Sequence, residues 1–359
     1  MDQSISESGS RFVGLDLGDR WSHVYVTDEQ GEVVEEGRVR TTPAALRERF
    51  EGRARMRVVM EAGTHSPWMS RLLSELGHEV VVANPRQLGL ISSNDSKSDR
   101  IDAELLCRLG RVDVGLLRPI EPRSARAMAA RALLRSRDVA VRTRTTLINH
   151  IRGLVKASGA RLPRSSTPAF AKKTQTAVPE ELQSVVAPLY ELLAQINQAI
   201  GDYDRAIERE GQQAWPATEI VRQVAGVGPV TALAFVACVE RPERFASSRA
   251  VGSYLGMRPR RDQSGARDPE LRITKAGDPF VRRLLILSSQ YILGPHGPDT
   301  DLRRFGQRLT DRGGKAAKRR AVVAVARKLA VLLHRLWVTG EVYEPLRQAT
   351  RSGAVEQTA

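Results

Sequence analysis

Carboxylates are the first residues of this sequence whose type and spacing could carry chemistry. Asp99, Asp102 and Glu104 fall close together in the stretch SDRIDAELL, within a chain of formal net charge +15. A helix would place Asp99 and Asp102 on one face, where they repel each other unless a cation or a basic group lies between them. One interpretation is a solvated helix start, where negative charge is favoured. The other is part of a metal site.

Two more carboxylates end apolar segments that are typical of buried strands. Asp16 closes RFVGLD, and Glu61 closes MRVVME. An acid in this position costs desolvation energy unless it is hydrogen bonded or bound to a cation, although capping of the next turn is an equal alternative. If these strands meet the helix start, Asp16, Glu61, Asp99 and Asp102 converge. Four such oxygen ligands suit Mg2+, which completes its shell with water and substrate phosphate.

A serine in a basic loop is the second candidate. Ser264 stands in PRRDQSGARDP, with Gly265 after it and Arg258, Arg260 and Arg261 before it. A hydroxyl in this setting could meet a phosphodiester whose charge is already compensated. Serine in a glycine-containing loop is nevertheless most often part of the turn itself, and composition alone does not favour a catalytic role.

The charge balance predicts a nucleic-acid partner, because a large basic excess attracts polyanions. Eleven Lys or Arg residues stand against one acid between Arg123 and Arg164, and the same ratio recurs between Arg303 and Arg335. No apolar stretch approaches the roughly 18 residues that span a bilayer, and the polar start lacks a signal peptide, so we expect a cytoplasmic protein. Cys107 and Cys238 lack metal-ligand spacing, which argues against a disulfide framework and a zinc site.

The elements that must position these residues change character along the chain. Residues 1–10 are expected to be a disordered lead. Residues 11–115 show strand patterns followed by alternating helices and strands, which predicts a mixed sheet with flanking helices. Residues 120–210 contain a long basic helix and a second long helix, separated by a break at Pro163–Pro179. This predicts a helical hairpin or a dimerising coiled coil, acting as a nucleic-acid clamp or a simple spacer.

The last part of the chain is predicted to be mainly helical. Residues 215–340 form a C-terminal domain, and residues 341–359 a flexible tail. Gly226 and Gly228 lie in a tight turn between two helical segments, which indicates a helix-hairpin-helix whose amides can approach a phosphate. An ordinary helical turn is an equal alternative.

Four motifs in the first 110 residues resemble a known family. They are GLDLGD, VVMEAGTHSPW, VVVANP and KSDRIDAELL, in that order. They are similar to the RuvC-like branch of the ribonuclease-H fold, and more specifically to the DEDD transposases of insertion sequences, the IS-one-ten group, and to Piv-type DNA invertases. In the C-terminal domain of this family PRR, a short spacer and Ser-Gly are followed by K-A-G, which corresponds here to Lys275–Gly277. Taken in order, the motifs are more specific than any one of them.

The resemblance implies a transposase or site-specific DNA recombinase with an RNase H-like (RuvC-like) α/β domain and a serine-bearing C-terminal domain. Ser264 would form a phosphoserine link to DNA, and Asp16, Glu61, Asp99 and Asp102 would hold Mg2+. It also implies a structured guide RNA and a homodimer that assembles into a larger synaptic complex. The two centres lie in separate domains and could meet within one protomer or across a dimer, and the resemblance implies the second.

The expected nucleic-acid-binding residues are basic side chains and turn glycines near these motifs and along the long helix. They are Lys97, Arg135, Arg142, Arg144, Gly226, Gly228, Arg258, Arg260, Arg261, Lys275, Arg282 and Arg283.

Three other functions remain open at this point. A metal-dependent nuclease or junction resolvase would use the four acids on water and leave Ser264 idle. A phosphotransferase of the actin and sugar-kinase type also begins with a GLDLG-like turn, but the chain has no second glycine-rich phosphate loop. A non-catalytic nucleic-acid-binding protein would explain the charge alone.

Overall fold

The computed structural model describes residues 10–86, 98–264, 269, 271–311 and 313–347. The chain divides into two compact units, Met1–Ser124 and Ala125–Ala359. Predictions that concern residues 1–9, Lys97, Gly265 or residues 348–359 lie outside the described residues.

The amino-terminal unit is built on a five-stranded mixed sheet. Its strands are β1 (Arg11–Asp16), β2 (Trp21–Thr27), β3 (Val33–Arg40), β4 (Met56–Glu61) and β5 (Glu79–Ala83), in the spatial order β3-β2-β1-β4-β5. Strands β3, β2 and β1 pair antiparallel, whereas β4 and β5 run parallel to β1. The parallel pairs follow from helical crossovers between those strands.

Helices cover both faces of this sheet, as the sequence pattern predicts. Helices α1 (Pro43–Phe50) and α2 (Ser66–Glu75) pack on one face through Phe50, Met69 and Leu73. Helix α3 (Asp99–Val112) packs on the other face, where Leu106 and Cys107 join two further buried clusters. The apolar residues of β1 and β4, among them Val13, Leu15, Val58, Val59 and Met60, are therefore buried.

Within the residues described, the carboxy-terminal unit consists of helices and their connections, with an isolated bridge between Pro259 and Ile273. Its helices are α4 (Ala125–Ala157), α5 (Phe170–Thr174), α6 (Glu180–Ala214), α7 (Ala217–Arg222), α8 (Pro229–Val239), α9 (Ser248–Tyr254), α10 (Pro279–Leu293), α11 (Asp301–Thr310) and α12 (Gly314–Thr339).

The two long helices α4 and α6 form a hairpin within the chain. The far part of the hairpin has its own apolar cluster, which contains Ile151, Val186 and Leu193. The predicted break between the helices also contains a short helix, α5, whose Phe170 stacks on Tyr190 at 5.9 Å between ring centroids. The near part of α4 packs into the main core, around the fully buried helix α8.

The structure also shows the surroundings of the two cysteines and of residues 341–347. Cys107 and Cys238 are buried free thiols. Residues 341–347, assigned from sequence to a tail, make ion pairs from Glu341 to Arg335 and Arg347. In the described part of the chain, no helix is long and apolar enough to cross a membrane.

Candidate active site

Asp16 lies at the end of the central strand β1, and a glycine determines how closely a helix approaches it. A Cβ atom placed on Gly14 would lie 1.9 Å from the carbonyl oxygen of Ala103 in α3. The absence of a side chain at residue 14 therefore allows the helix backbone to contact the strand directly. This contact brings the first turn of α3 close to the end of β1.

The first turn of α3 carries the two aspartates. Ser98 is the N-cap, and its hydroxyl accepts a hydrogen bond from the backbone N–H of Ile101 at 3.4 Å. Asp99 and Asp102 follow in the first turn, as the sequence predicts. The helix dipole favours negative charge there and offsets part of the repulsion between them.

The electrostatics of Asp16 show that four carboxylates influence one another. Burial is the largest cause that raises the pKa of Asp16, the charges of Asp99, Asp102 and Glu61 follow in that order, and the resulting pKa is about 6. A backbone hydrogen bond from Leu17 opposes them. Acidic side chains from three separate elements therefore lie within electrostatic range of Asp16.

The donor set fits a hard divalent cation, since it consists of carboxylates whose mutual repulsion a cation would relieve. The side chains are not arranged as a ready-made cage. In the described ranges, no three His, Cys, Asp or Glu side chains are close enough to hold a metal ion as they stand. A cation held here by few protein ligands would keep open positions, as Mg2+ usually does.

The raised pKa predicts an unusual pH dependence for the metal-free protein. Between the ordinary value of 3.8 and about 6, folded Asp16 keeps a proton that the unfolded chain has lost. Stability therefore falls as pH rises through this window. We expect Asp16→Asn to raise the free energy of unfolding in EDTA by about 1–3 kcal/mol at pH 7, and to change it little at pH 3.5.

Urea unfolding at the two pH values measures this effect. Added Mg2+ should stabilise the wild type more than the Asp16→Asn variant, because the variant lacks one ligand charge. Equal stability of the two proteins at pH 7 in EDTA would show that the charge of ionised Asp16 does not destabilise the folded protein.

Gly14 gives a second prediction from this site. Gly14→Ala should lower the free energy of unfolding by about 1–3 kcal/mol or more, because the new methyl group meets the backbone of α3. The shift of α3 should also reduce metal binding, as Asp99 and Asp102 move with the helix. Calorimetric titration with Mg2+ and urea unfolding test both effects. Gly63→Ala is the matched control, since its added Cβ would meet nothing within 4 Å.

A histidine at the edge of the acidic cluster was not predicted from the sequence. His23 of β2 pairs in register with Asp16, and its Nε2 lies 3.9 Å from Oδ2 of Asp99. The alternation of β2 places His23 on the same face as Trp21 and Tyr25. His23 could have been found only from its pairing with Asp16 across β1 and β2, and the sequence does not give that strand register.

Ser264 lies in an exposed loop whose ends are paired. The backbone N–H of Arg260 donates to the carbonyl of Arg272 at 3.0 Å, and that of Thr274 donates to the carbonyl of Arg258 at 2.8 Å. These bonds pair the described segments on either side of the loop, and the Ser264 side chain is exposed. Arg258, Arg260 and Arg261 are all exposed in the same segment.

The base of this loop is held by two interlocking glycines. A Cβ on Gly256 would lie 2.0 Å from the carbonyl oxygen of Ala276, and a Cβ on Gly277 would lie 2.0 Å from that of Tyr254. Lys275, between them, adopts a positive φ of 55° that is unusual for a residue with a side chain. The K-A-G motif thus has a structural reason, which is the close contact of two turns.

A buried carboxylate links this base to the long helix α4. Asp278 caps α10 by accepting hydrogen bonds from the N–H groups of Phe280 and Val281, and it also accepts one from the guanidinium of Arg131. The Arg131 charge and these bonds hold the pKa of Asp278 below its usual value against the effect of burial. Arg135 contributes a second positive charge 4.0 Å away.

Several of the basic residues expected to bind nucleic acid have partners inside the protein. Arg282 donates to the carbonyls of Leu255 and Ala276 at 2.9 and 2.8 Å. Arg142 and Arg283 both pair with Asp138, at 3.1 and 2.6 Å. These contacts give Arg142, Arg282 and Arg283 structural partners that the sequence did not predict.

The remaining predicted residues have different surroundings. Arg144 donates to the amide oxygen of Asn197 at 3.1 Å in the hairpin. Gly226 adopts a φ of 85° and packs against α10, where an added Cβ would lie 3.1 Å from the carbonyl of Ser288. An added Cβ on Gly228 would meet nothing within 4 Å, so this end of the turn is open.

Comparison with known proteins identifies the family. A model of DEDD transposases of the IS110 group matches residues 13–158, and the model described as "Transposase IS116/IS110/IS902 family" matches residues 218–301. Together they cover more than half of the chain, and each contains one of the two candidate centres. The chain belongs to the IS110/IS116 family of insertion-sequence transposases, which are enzymes that cleave and rejoin DNA.

Relatives align along nearly the whole chain. A probable family 20 transposase of Pseudomonas aeruginosa is 28% identical over 93% of this chain and 98% of its own length. The transposase for insertion sequence element IS1111A of Coxiella burnetii is 28% identical over 93% of this chain and 91% of its own. The transposase for element IS1328 of Yersinia enterocolitica is 29% identical over 76% and 81%. Membership of the DEDD class implies dependence on a divalent metal.

Proposed function

We propose that this transposase exchanges DNA strands through a covalent link to Ser264, assisted by Mg2+ at Asp16, Glu61, Asp99 and Asp102. The observation that carries the proposal is that Asp99, Asp102 and Glu61 all act electrostatically on Asp16, where burial and, after it, these three charges raise the pKa to about 6. The strand order β3-β2-β1-β4-β5, with β3, β2 and β1 antiparallel and β4 and β5 parallel to β1, supports an RNase H-like assignment for the domain that carries them.

In the proposed cleavage step, the Ser264 oxygen forms a bond to phosphorus while the bond from phosphorus to one DNA oxygen breaks. The serine proton is lost, and the departing DNA oxygen gains one. In the joining step a second DNA hydroxyl displaces Ser264, so the serine is regenerated. Bound Mg2+ would neutralise charge that develops on the phosphate, and Arg258, Arg260 and Arg261 bring further positive charge to the serine loop.

The loop geometry supports this role for the serine. An attacking hydroxyl must be held firmly and yet reach a large substrate. The paired backbone segments and the interlocked turns at Gly256 and Gly277 hold the base of the loop, while Ser264 itself is exposed.

Further elements of the proposal concern partners. DNA is the substrate of the family. We propose in addition a structured guide RNA bound by the basic stretches, a homodimer that assembles into a synaptic complex, and a phosphate contact at the open amide end of the Gly226–Gly228 turn, in the manner of a helix-hairpin-helix.

The test is a search for a protein–DNA adduct. The full-length protein is incubated with the ends of its element, co-purified RNA and Mg2+, and the products are separated in denaturant. We expect a covalent adduct whose peptide map places the phosphate on Ser264. Strand joining without any adduct would overturn the serine mechanism and would favour a nuclease that activates water with the four carboxylates.

A further inference from the structure

An exposed tryptophan lies beside the acidic cluster, and the proposed cleavage and joining steps do not use it. Trp21 is the first residue of β2, and 46% of its surface is exposed. Large aromatic side chains are normally buried or used in binding, since leaving one in water gives up favourable burial. Trp21 therefore calls for a ligand or a packing partner.

Two arginines flank the indole ring. The guanidinium carbons of Arg40 and Arg38 lie 5.2 and 5.9 Å from its centroid, within cation–π range. In the described part of the amino-terminal unit, neither guanidinium has a carboxylate partner: Glu36, the acid on the same face of β3, pairs with Arg100 instead. The result is a flat aromatic group with two uncompensated positive charges, which we call the Trp21 platform (Trp21, Arg38 and Arg40).

The strand register places this platform next to the carboxylates. Trp21 pairs with Arg40 and His23 with Arg38 across β2 and β3. Because residues two apart share a face, Trp21 lies on the same side of the sheet as His23, which faces Asp99 at 3.9 Å. The platform is therefore continuous with the acidic cluster on one surface.

We propose that the Trp21 platform binds one nucleotide of the nucleic-acid strand that is presented to the carboxylate cluster, with the base stacked on the indole and the phosphate paired with Arg38 and Arg40. The inference rests on the proposed function, because it assumes that a strand reaches those carboxylates.

The chemistry of the platform favours a single-stranded nucleotide over other ligands. An aromatic face and guanidinium planes stack on any base, whereas bases inside a duplex present no free face. Two positive charges with no acid between them suit a phosphate. A protein partner would need apolar side chains around the tryptophan. The side chains that flank Trp21 are instead the cations Arg38 and Arg40.

The test measures binding of a fluorescein-labelled single-stranded oligonucleotide to the full-length protein in EDTA, which prevents cleavage. Trp21→Ala should weaken binding by about 5- to 100-fold, and Trp21→Phe by much less, because stacking needs only an aromatic face. The double variant Arg38→Ala/Arg40→Ala should reduce the dependence of log K on log salt by about 0.7, the value for one phosphate neutralised on a single strand.

Arg47→Ala is the matched control, since Arg47 is an exposed arginine of the same unit that lies 3.8 Å from Glu75. Unchanged affinity in Trp21→Ala would overturn the platform, and would be the result if Trp21 served a protein partner. An equal loss in Trp21→Phe and Trp21→Ala would also overturn it, because stacking would not be the cause.

A further variant separates this inference from the proposed function. Asp99→Asn should abolish DNA cleavage while keeping the affinity that depends on Trp21. If Asp99→Asn abolishes cleavage and Trp21→Ala binds normally, the platform is wrong and the proposed function stands. If Asp99→Asn cleaves normally and Trp21→Ala binds weakly, the carboxylate mechanism is wrong and the binding site stands.

Discussion

Replacement of Ser264 by alanine should abolish both the covalent protein–DNA adduct and strand joining, with a loss of about 10³-fold or more in rate. The substitution removes the hydroxyl oxygen that is proposed to form the bond to phosphorus. The side chain is exposed and the loop is held by backbone bonds on either side, so the fold and DNA affinity should be unchanged.

The matched control is Ser247→Ala, another exposed serine of the same unit. The measurements are adduct formation on denaturing gels, strand joining on labelled element ends, and DNA affinity by anisotropy. Strand joining by the Ser264→Ala protein at the wild-type rate would show that the hydroxyl is not the nucleophile.

Replacement of Asp102 by asparagine should have the second large effect, a loss of about 10²-fold or more in strand cleavage at fixed Mg2+. Asparagine keeps the size of the side chain and removes the charge that attracts the cation. The pKa of Asp16 should fall as well, because the Asp102 charge is one of those that raise it. Stabilisation of the protein by Mg2+ should decrease in parallel, which thermal unfolding measures without reference to activity.

Glu104→Gln is the control for this variant. Glu104 lies in the same helix, but its carboxylate accepts a hydrogen bond from Arg108 at 2.8 Å and is not among the charges that raise the pKa of Asp16. A protein with Asp102→Asn that still cleaves at the wild-type rate, and that Mg2+ still stabilises normally, would remove Asp102 from the metal site.

Much of the amino-terminal unit could be predicted because its patterns are local. The buried strands that end in Asp16 and Glu61 and the serine cap before Asp99 are each visible within a few residues. The sequence could not supply the distance between strand β1 and helix α3. The contact of Gly14 with the backbone of Ala103 determines that distance, and a single glycine in a strand does not indicate which helix it contacts.

The carboxy-terminal unit shows the opposite case. Its basic residues were expected to face nucleic acid because charge is all that composition reveals. The structure gives Arg131 and Arg282 partners far away in sequence, at Asp278 and Leu255. Long-range pairs of this kind leave no local pattern. The Trp21 platform was missed for a similar reason, since Arg38 and Arg40 reach the indole across a strand pair.

The bond between Arg131 and Asp278 has a mechanical consequence. Arg131 lies near the start of a helix of 33 residues, which at 1.5 Å per residue is about 50 Å long. Asp278 follows directly on the turn that holds the serine loop. The end of the hairpin that carries Arg131 is therefore tied by an ion pair to Asp278, next to the serine loop. A partner that moves the distant end of the hairpin would act, through the pair of Arg131 and Asp278, on the turn beside the loop of Ser264.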